Sequence, residues 1–337
     1  MRQAFTRGHW RKGQRRENGS FLMRQALGQE EEKMDFLKQQ INNYMRECHL
    51  CPRNCGVNRL AGEKGVCWSG AEAVVARSAL HFWEEPCISG TEGSGAVFFS
   101  GCSLGCIFCQ NRKISREEYG TKVSVEALAD LFLQLQEQKA NNINLVTAGQ
   151  FLPQAAAAIS LARSRGMDLP VVYNSSGYEK EETLRLLDGL VDIYLPDFKY
   201  MDKALGKKYS HAEDYPETAK AALAEMVRQA GDAVFDHRGM MKKGVIVRHL
   251  LLPGHVSDSK KVVEYLFQTY GDRIYISLMN QYTPMPAVKE DPLLSRKVTA
   301  REYERLLKFA LSLGVENGFF QEGETARESF IPEFHGV

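Results

Sequence analysis

Three cysteines constrain this chain more than any other feature: Cys102, Cys106 and Cys109, in the run Gly101-Cys102-Ser103-Leu104-Gly105-Cys106-Ile107-Phe108-Cys109-Gln110-Asn111. The spacing is C-x3-C-x2-C, and no fourth cysteine follows close behind. Structural zinc sites take four protein ligands, commonly in pairs, and ferredoxin-type runs continue into further cysteines. Three thiolates on one tight loop suit a cubane iron–sulfur cluster and leave its fourth iron without a protein ligand. Such an iron can bind a small molecule through oxygen or nitrogen, as a catalytic zinc keeps a vacant position. A zinc loop or three buried thiols is the plainer alternative.

The surrounding chain has a regular rhythm. A strand-like run at 96–100 leads straight into the cysteines, and an amphipathic helix is expected at 124–138, with Ser124 as N-cap and Glu126 in its first turn. Apolar strand runs follow at 143–147, 171–174, 191–195, 244–252 and 274–279. Helical stretches separate them at 153–165, 180–190, 216–230 and 260–270, and a last helix is expected at 299–313. This alternation predicts an α/β fold with a parallel sheet and helices outside it. Six strands are too few for a closed eight-stranded barrel. Periodicity alone leaves open whether the sheet is a partial barrel or doubly wound. In either case a site forms at the C-terminal ends of the strands, where the cysteine loop also falls.

With 337 residues, 44% hydrophobic and 25% charged, the chain can build one large domain and a small appendage. It has no run of 18 apolar residues, so no transmembrane helix is expected, and its N-terminus lacks an apolar signal core. Eight cysteines without such a signal suggest metal binding in a reducing compartment, and a cytoplasmic location is expected. The net charge of +1 hides an uneven distribution: residues 1–24 carry a local +6 and the remainder −5. The basic stretch (Arg2, Arg7, Arg11, Lys12, Arg15, Arg16 and Arg24) has no apolar period and reads as a disordered extension. Charge alone would permit nucleic-acid contact, but a simple upstream extension is the stronger reading, and neither nucleic acid nor membrane is an expected partner.

Polar groups recur at the predicted strand ends: Thr147-Ala148-Gly149-Gln150, Tyr173-Asn174-Ser175-Ser176-Gly177-Tyr178, Pro196-Asp197-Phe198-Lys199, Arg248-His249 and Met279-Asn280-Gln281-Tyr282. Each is ordinary by itself. Together, at consecutive strand ends behind a cysteine loop, they mark a convergent site. Alternation along an extended segment puts Asp197 and Lys199 on one face. A second constellation, Cys48, Cys51, Cys55 and Cys67, has the spacing C-x2-C-x3-C-x11-C. Four thiolates make a closed site for tetrahedral zinc or for an auxiliary cluster, and the spacing does not choose. Such a metal would staple a module too small to bury a core. Cys87, in Glu85-Pro86-Cys87-Ile88, reads as a free buried thiol, with a hydrogen-atom donor or auxiliary ligand as the sharper alternative. His81, Glu84 and Glu85 could face substrate or form a strand-edge charge cluster.

The cysteine run, with the aromatic Phe108 before its last cysteine, resembles the signature of radical S-adenosylmethionine (SAM) enzymes. The stretch 48–320 resembles a cytosolic branch related to pyruvate formate-lyase activating enzymes, through Cys48-His49-Leu50-Cys51-Pro52-Arg53-Asn54-Cys55, the run 84–90, the run 101–111 and Tyr194-Leu195-Pro196-Asp197-Phe198-Lys199-Tyr200. The resemblance implies a partial, open (β/α)6 barrel of TIM type at 96–337, preceded by a connector at 71–95, a cysteine-rich metal module at 34–70 and the extension at 1–33. It implies a 4Fe–4S cluster on Cys102, Cys106 and Cys109 whose open iron chelates SAM. Phe108, Gln110, Gly149, Gln150, Asn174, Asp197, Lys199, Arg248 and Gln281 are the implied SAM-binding positions. Gln150 stands where relatives carry Glu, and Gln281 where activases carry His. The implied chemistry is reductive cleavage of SAM and hydrogen abstraction, with an electron donor such as flavodoxin or ferredoxin. The substrate would be a glycyl radical enzyme, or else a small molecule or peptide. A non-catalytic metal-binding protein is the rival of a different class.

Overall fold

The structure, a computed structural model, describes residues 35–117 and 119–321. The extension expected at 1–33 and the end of the barrel segment beyond 321 lie outside the described residues. The chain divides into two compact units, Met1–Asn43 and Tyr44–Val337. The described part of the first is helical, within a helix α1 over residues 35–46. All that follows concerns the second.

Each of the six predicted strands forms: β2 (Ser94–Phe99), β4 (Ile143–Val146), β5 (Val171–Ser175), β6 (Ile193–Pro196), β8 (Met241–Leu250) and β9 (Tyr275–Met279). They run parallel, and β10 (Gly318–Phe320) extends the series beside β9. Because helices cover the outside and side chains fill the inside, these strands read as continuous apolar runs; β2 and β6 are buried at every position. The segment 71–95 is more than a connector. It holds β1 (Ala73–His81), which pairs antiparallel with β2, and the short α2 (Pro86–Ser89). With β3 (Thr121–Val123) outside β1, the sheet order is β10-β9-β8-β6-β5-β4-β2-β1-β3, and β7 (Val234–Phe235) is a side branch on β8. The fold is mixed α/β with a mostly parallel, open sheet.

Crossover helices lie where the apolar period placed them. After the small α3 (Arg112–Arg116), α4 (Val125–Glu137) is capped by Ser124, whose hydroxyl accepts from Ala127 N at 3.1 Å. Next come α5 (Leu152–Ser164), α6 (Glu181–Leu184), α7 (Lys203–Ser210), α8 (Tyr215–Ala230), α9 (Val256–Tyr270) and α10 (Ala300–Leu313). The helix expected over 180–190 is shorter: α6 tightens into a 3-10 turn at Arg185–Leu187 and stops ahead of Gly189, whose φ of +73° is left-handed. The unpredicted helix α7 starts from Asp202, whose carboxylate accepts from Ala204 N at 2.8 Å, and its last residue delivers Ser210 to the cysteine loop.

Candidate active site

The C-terminal ends of the parallel strands enclose a cavity of about 570 Å³. Its wall includes Cys102, Cys106, Phe108, Cys109 and Gln110 from the loop after β2, Asn174 from β5, Asp197 and Lys199 after β6, Arg248 from β8 and Gln281 after β9. Thr147, Ser176, Glu84 and Glu85 also line it. Seven of the nine implied SAM positions therefore meet in one space. Gly149 and Gln150 stand outside its lining. Gln150 is buried, and its amide donates to Ser100 O at 2.8 Å and Thr147 O at 3.1 Å, which ties the ends of β2 and β4 together.

The cysteine loop is built backbone first. Gly101 N donates to Ile114 O at 2.8 Å, Ile107 N to Tyr209 O at 2.9 Å and Cys109 N to Cys106 O at 3.2 Å. Gly101 itself is left-handed at φ +87°, and a Cβ there would stand 2.7 Å from the carbonyl oxygen of Cys67. The sulfurs receive hydroxyl donors: Ser210 Oγ to Cys106 Sγ at 2.9 Å and Ser115 Oγ to Cys109 Sγ at 3.7 Å. Burial pushes the Cys106 thiol up to about 12 and also raises Cys109. Both are neutral thiols at ordinary pH unless a cation is placed against them. Phe108 packs edge-on to Tyr209 and tilted against Tyr282, which seals the loop's inner side with rings. Gln110 Nε2 donates to Gln281 O at 3.2 Å, so these two predicted residues join the loop to the end of β9.

Lys199 and Asp197 form an ion pair at 2.5 Å with side chains 18% and 28% exposed. Burial pulls the ammonium down, but the Asp197 carboxylate beside it outweighs burial and holds Lys199 charged. Arg248 is differently engaged. Its Nε donates to Glu85 Oε1 at 2.8 Å, and its Nη2 to both Glu84 and Glu85. Burial works to raise the Glu85 carboxyl, but Arg248 overrides it and the group lies below the usual carboxylate range. Asn144 Nδ2 donates to Glu84 Oε1 at 3.0 Å. Two carboxylates against one guanidinium leave this part of the wall with an excess negative charge. His249 stands behind the wall, its Nδ1–H donated to Phe198 O at 2.7 Å, and burial lowers it to about 4, so it is neutral. Cys87 is buried in an apolar cluster with Val172, Ile193 and Ile246, away from the cavity lining.

Cys48, Cys51, Cys55 and Cys67 face one another closely enough for each of the other three to raise the Cys51 thiol, which burial, the largest cause, pushes up to about 12. Val66 N donates to Cys55 Sγ at 3.5 Å and Arg59 Nη1 to Cys48 Sγ at 3.8 Å. Among the described residues, no three His, Cys, Asp or Glu side chains converge on the position of a single metal ion. Tetrahedral zinc would need sulfurs about 3.8 Å apart, given a zinc–sulfur bond of about 2.3 Å. A cubane gives each thiolate its own iron and spaces the sulfurs wider. The donor set of the three-cysteine loop fits that group: three thiols facing one cavity, two of them already holding hydroxyl donors.

Sequence reasoning did not find roles for Arg53, Ser210, Ser115 and Tyr209. Their partners are loop carbonyls, sulfurs and rings, several of them more than 100 positions away, and no local pattern announces such contacts.

A family model described as the Radical SAM superfamily matches residues 96–266, just over half of the chain. An uncharacterized protein of Methanocaldococcus jannaschii is 28% identical over 285 residues, 82% of this chain and 78% of that protein. Among solved structures, a domain of a pyruvate-formate lyase-activating enzyme from Bacteroides vulgatus aligns with a TM-score of 0.38 at 11% identity, covering 51% of this chain and 92% of that one. Streptococcus suis SuiB bound to its precursor peptide SuiA aligns at 0.45 and 11% identity, covering 66% of this chain and 46% of SuiB, so the chain spans less than half of that protein.

Proposed function

The chain belongs to the radical SAM superfamily, and from that premise we propose that it cleaves SAM reductively in the cavity described above and abstracts hydrogen from a substrate held there. Cys102, Cys106 and Cys109 would hold the 4Fe–4S cluster. When bound, it supplies one electron to the sulfonium of SAM, giving methionine and a 5′-deoxyadenosyl radical that takes the substrate's hydrogen atom. The protein's own part is to bind, orient and keep water out. Lys199 and Asp197 offer an ammonium and a carboxylate to a zwitterionic ligand, and Asn174 and Ser176 offer polar groups to a ribose. Phe108, Tyr209 and Tyr282 exclude water behind the cysteines. The cavity volume lies in the range of small-molecule sites, about 300–1,000 Å³.

The observation that carries this reading is the meeting of the three thiols and the Asp197–Lys199 pair in one cavity wall. Its test is 5′-deoxyadenosine formation by anaerobically reconstituted, dithionite-reduced protein. Changing any of the three cysteines to Ala should abolish it; unchanged product from those variants would refute the assignment.

For the substrate we propose a glycyl α-hydrogen of a protein partner, with flavodoxin or ferredoxin as electron donor. The open sheet leaves room for a loop of another chain, and the Asp197-Phe198-Lys199 run has the activase form. A glycyl doublet in electron paramagnetic resonance (EPR), after incubation with a glycyl radical enzyme from the same genome, is the expected result. SAM cleavage without such a radical would move the reading to a small molecule or peptide. One observation favours that second substrate: the Glu84–Glu85–Arg248 group in the wall suits a ligand with a cationic group of its own. The four-cysteine group would be a second metal centre, zinc or iron–sulfur, and metal counts per chain distinguish the two. A cytoplasmic location is part of the same proposal; among the described residues no helix is long and apolar enough to cross a membrane.

A further inference from the structure

The two cysteine groups are laced together at three places. Arg53, two residues after Cys51, donates from Nε to Ser103 O at 2.9 Å and from Nη2 to Leu104 O at 3.2 Å and Ser210 O at 3.0 Å, while Nη1 donates to His211 O. Ser103 and Leu104 are the residues that follow Cys102 on the way to Cys106. Ser210 is the residue whose hydroxyl donates to Cys106 Sγ. One guanidinium thus holds the loop's backbone on one side of Cys106 and the donor to its sulfur on the other. It also lies over the ring of Tyr178, 5.0 Å from the centroid. From the opposite direction Arg116, at the end of α3, donates from Nη1 to Val66 O at 3.0 Å, and Val66 N donates to Cys55 Sγ. Finally, Gly101 packs against the Cys67 carbonyl so closely that no side chain fits between them.

Neither partner has regular structure to hold its shape. From residue 47 to 72 the only helical element is the 3-10 turn Arg59–Ala61, and residues 101–110 contain no helix or strand. A planar guanidinium with five donors in a fixed fork transmits position well, since its acceptors must stay in register with one another. A change of shape around Cys51 therefore moves Arg53, and with it the carbonyls of 103 and 104 and the Ser210 hydroxyl.

We propose that Arg53 is a positioning residue through which metal occupancy of Cys48, Cys51, Cys55 and Cys67 makes the Cys102, Cys106 and Cys109 loop competent to bind iron. The inference rests on both groups being metal sites. The module offers four thiols where the loop offers three, so on this proposal the module fills first. The three-ligand loop needs the module.

The test uses the full chain, reconstituted anaerobically, with iron and zinc counted and the reduced protein examined by EPR. Loop iron is read as the difference between each protein and its counterpart with Cys102, Cys106 and Cys109 changed to Ser. Arg53→Met should keep the module's metal, which also reports that it has folded. Its loop should bind iron about tenfold to a hundredfold more weakly, the usual cost of removing an outer-shell partner, with an altered EPR line shape for what remains. Arg53→Lys, which keeps the charge but not the fork, should recover part of the iron and little of the line shape. Cys51→Ser should lose module metal and loop iron together. Full loop iron with an unchanged spectrum in Arg53→Met would overturn the proposal. So would wild-type protein with a loaded loop and an empty module, a result that leaves the proposed radical chemistry standing.

Discussion

The chain carries two cysteine groups in contact with each other, and they are built in opposite ways. The loop at 101–111 hangs from the end of a fully buried strand, faces a cavity and supplies three thiols. The group around Cys48 supplies four thiols, hangs from no strand and is held by turns, such as Cys48 N to Val57 O and Gly56 N to Cys48 O, both at 3.0 Å. The first opens on a cavity and hangs from a rigid frame; the second has no frame of its own, and the metal proposed for it would close it. An unfinished ligand set is useful only where a fold positions what completes it, and the polar strand ends do that around the loop. A complete ligand set needs no cavity of that kind, and none of the four module cysteines lines the one at the strand ends.

The difference should be largest under oxidation and chelation. Brief exposure of the reconstituted protein to air and an iron chelator should remove loop iron and all SAM cleavage while the module's metal stays. Loss of both metals at the same rate would break the contrast between open and closed sites. The next effect concerns the frame beneath the cavity. Burial holds the Glu179 carboxyl up at about 8, against an ordinary value of 4.5. Between those values the native protein keeps a proton that the unfolded chain has released. The contribution of Glu179 to stability is therefore greatest on the acid side and falls as pH rises through that window, by up to a few kcal/mol. Denaturant titrations should show wild-type stability declining relative to Glu179→Gln as pH rises through this window, the buried His249 adding the same opposite slope to both, with the module's metal unaffected in either.

Smaller effects follow from single contacts at the cavity wall. Lys199→Met should raise KM for SAM about tenfold, the loss of roughly 1.4 kcal/mol expected when one partner of a charge-assisted contact is removed, while iron and module metal remain. An unchanged KM would take the Asp197–Lys199 pair out of the binding role. Ser210→Ala removes the donor at 2.9 Å from Cys106 Sγ. It should shift the EPR spectrum and cost a few-fold in turnover, about 1 kcal/mol for one hydrogen bond.

The six main parallel strands were legible because each is a run of apolar residues bounded by turn signals. Those that sequence reasoning passed over are short or lie toward the sheet's margins. β7 has two residues, β3 and β10 have three, and β1 buries only its first half, so its pattern reads as a connector. The helix expected over 180–190 is shorter because the apolar residues run on to Leu190 while the backbone turns left-handed at Gly189. At the site, spacing identified the three loop cysteines, and position at strand ends picked out Asn174, Asp197 and Lys199. Gln150 was legible as a residue but not as an orientation, since its amide turns to Ser100 O and Thr147 O. Arg248 lines the cavity as its place at a strand end implies, but its pairing with Glu84 and Glu85 was not legible. That pairing joins positions more than 160 residues apart and leaves no trace in local pattern. Arg53 was hidden for the same reason, its acceptors being backbone carbonyls that any residue would present.

The central claim is that only the three-cysteine loop leaves an iron open to SAM. It is tested most directly by the EPR spectrum of the reduced, fully loaded protein before and after SAM is added. A clear change in line shape is expected for wild type and for Cys87→Ser, and none for protein with Cys102, Cys106 and Cys109 changed to Ser, whatever metal the module retains. An unchanged wild-type spectrum at full loop iron, or the same change in the loop variant, would contradict it.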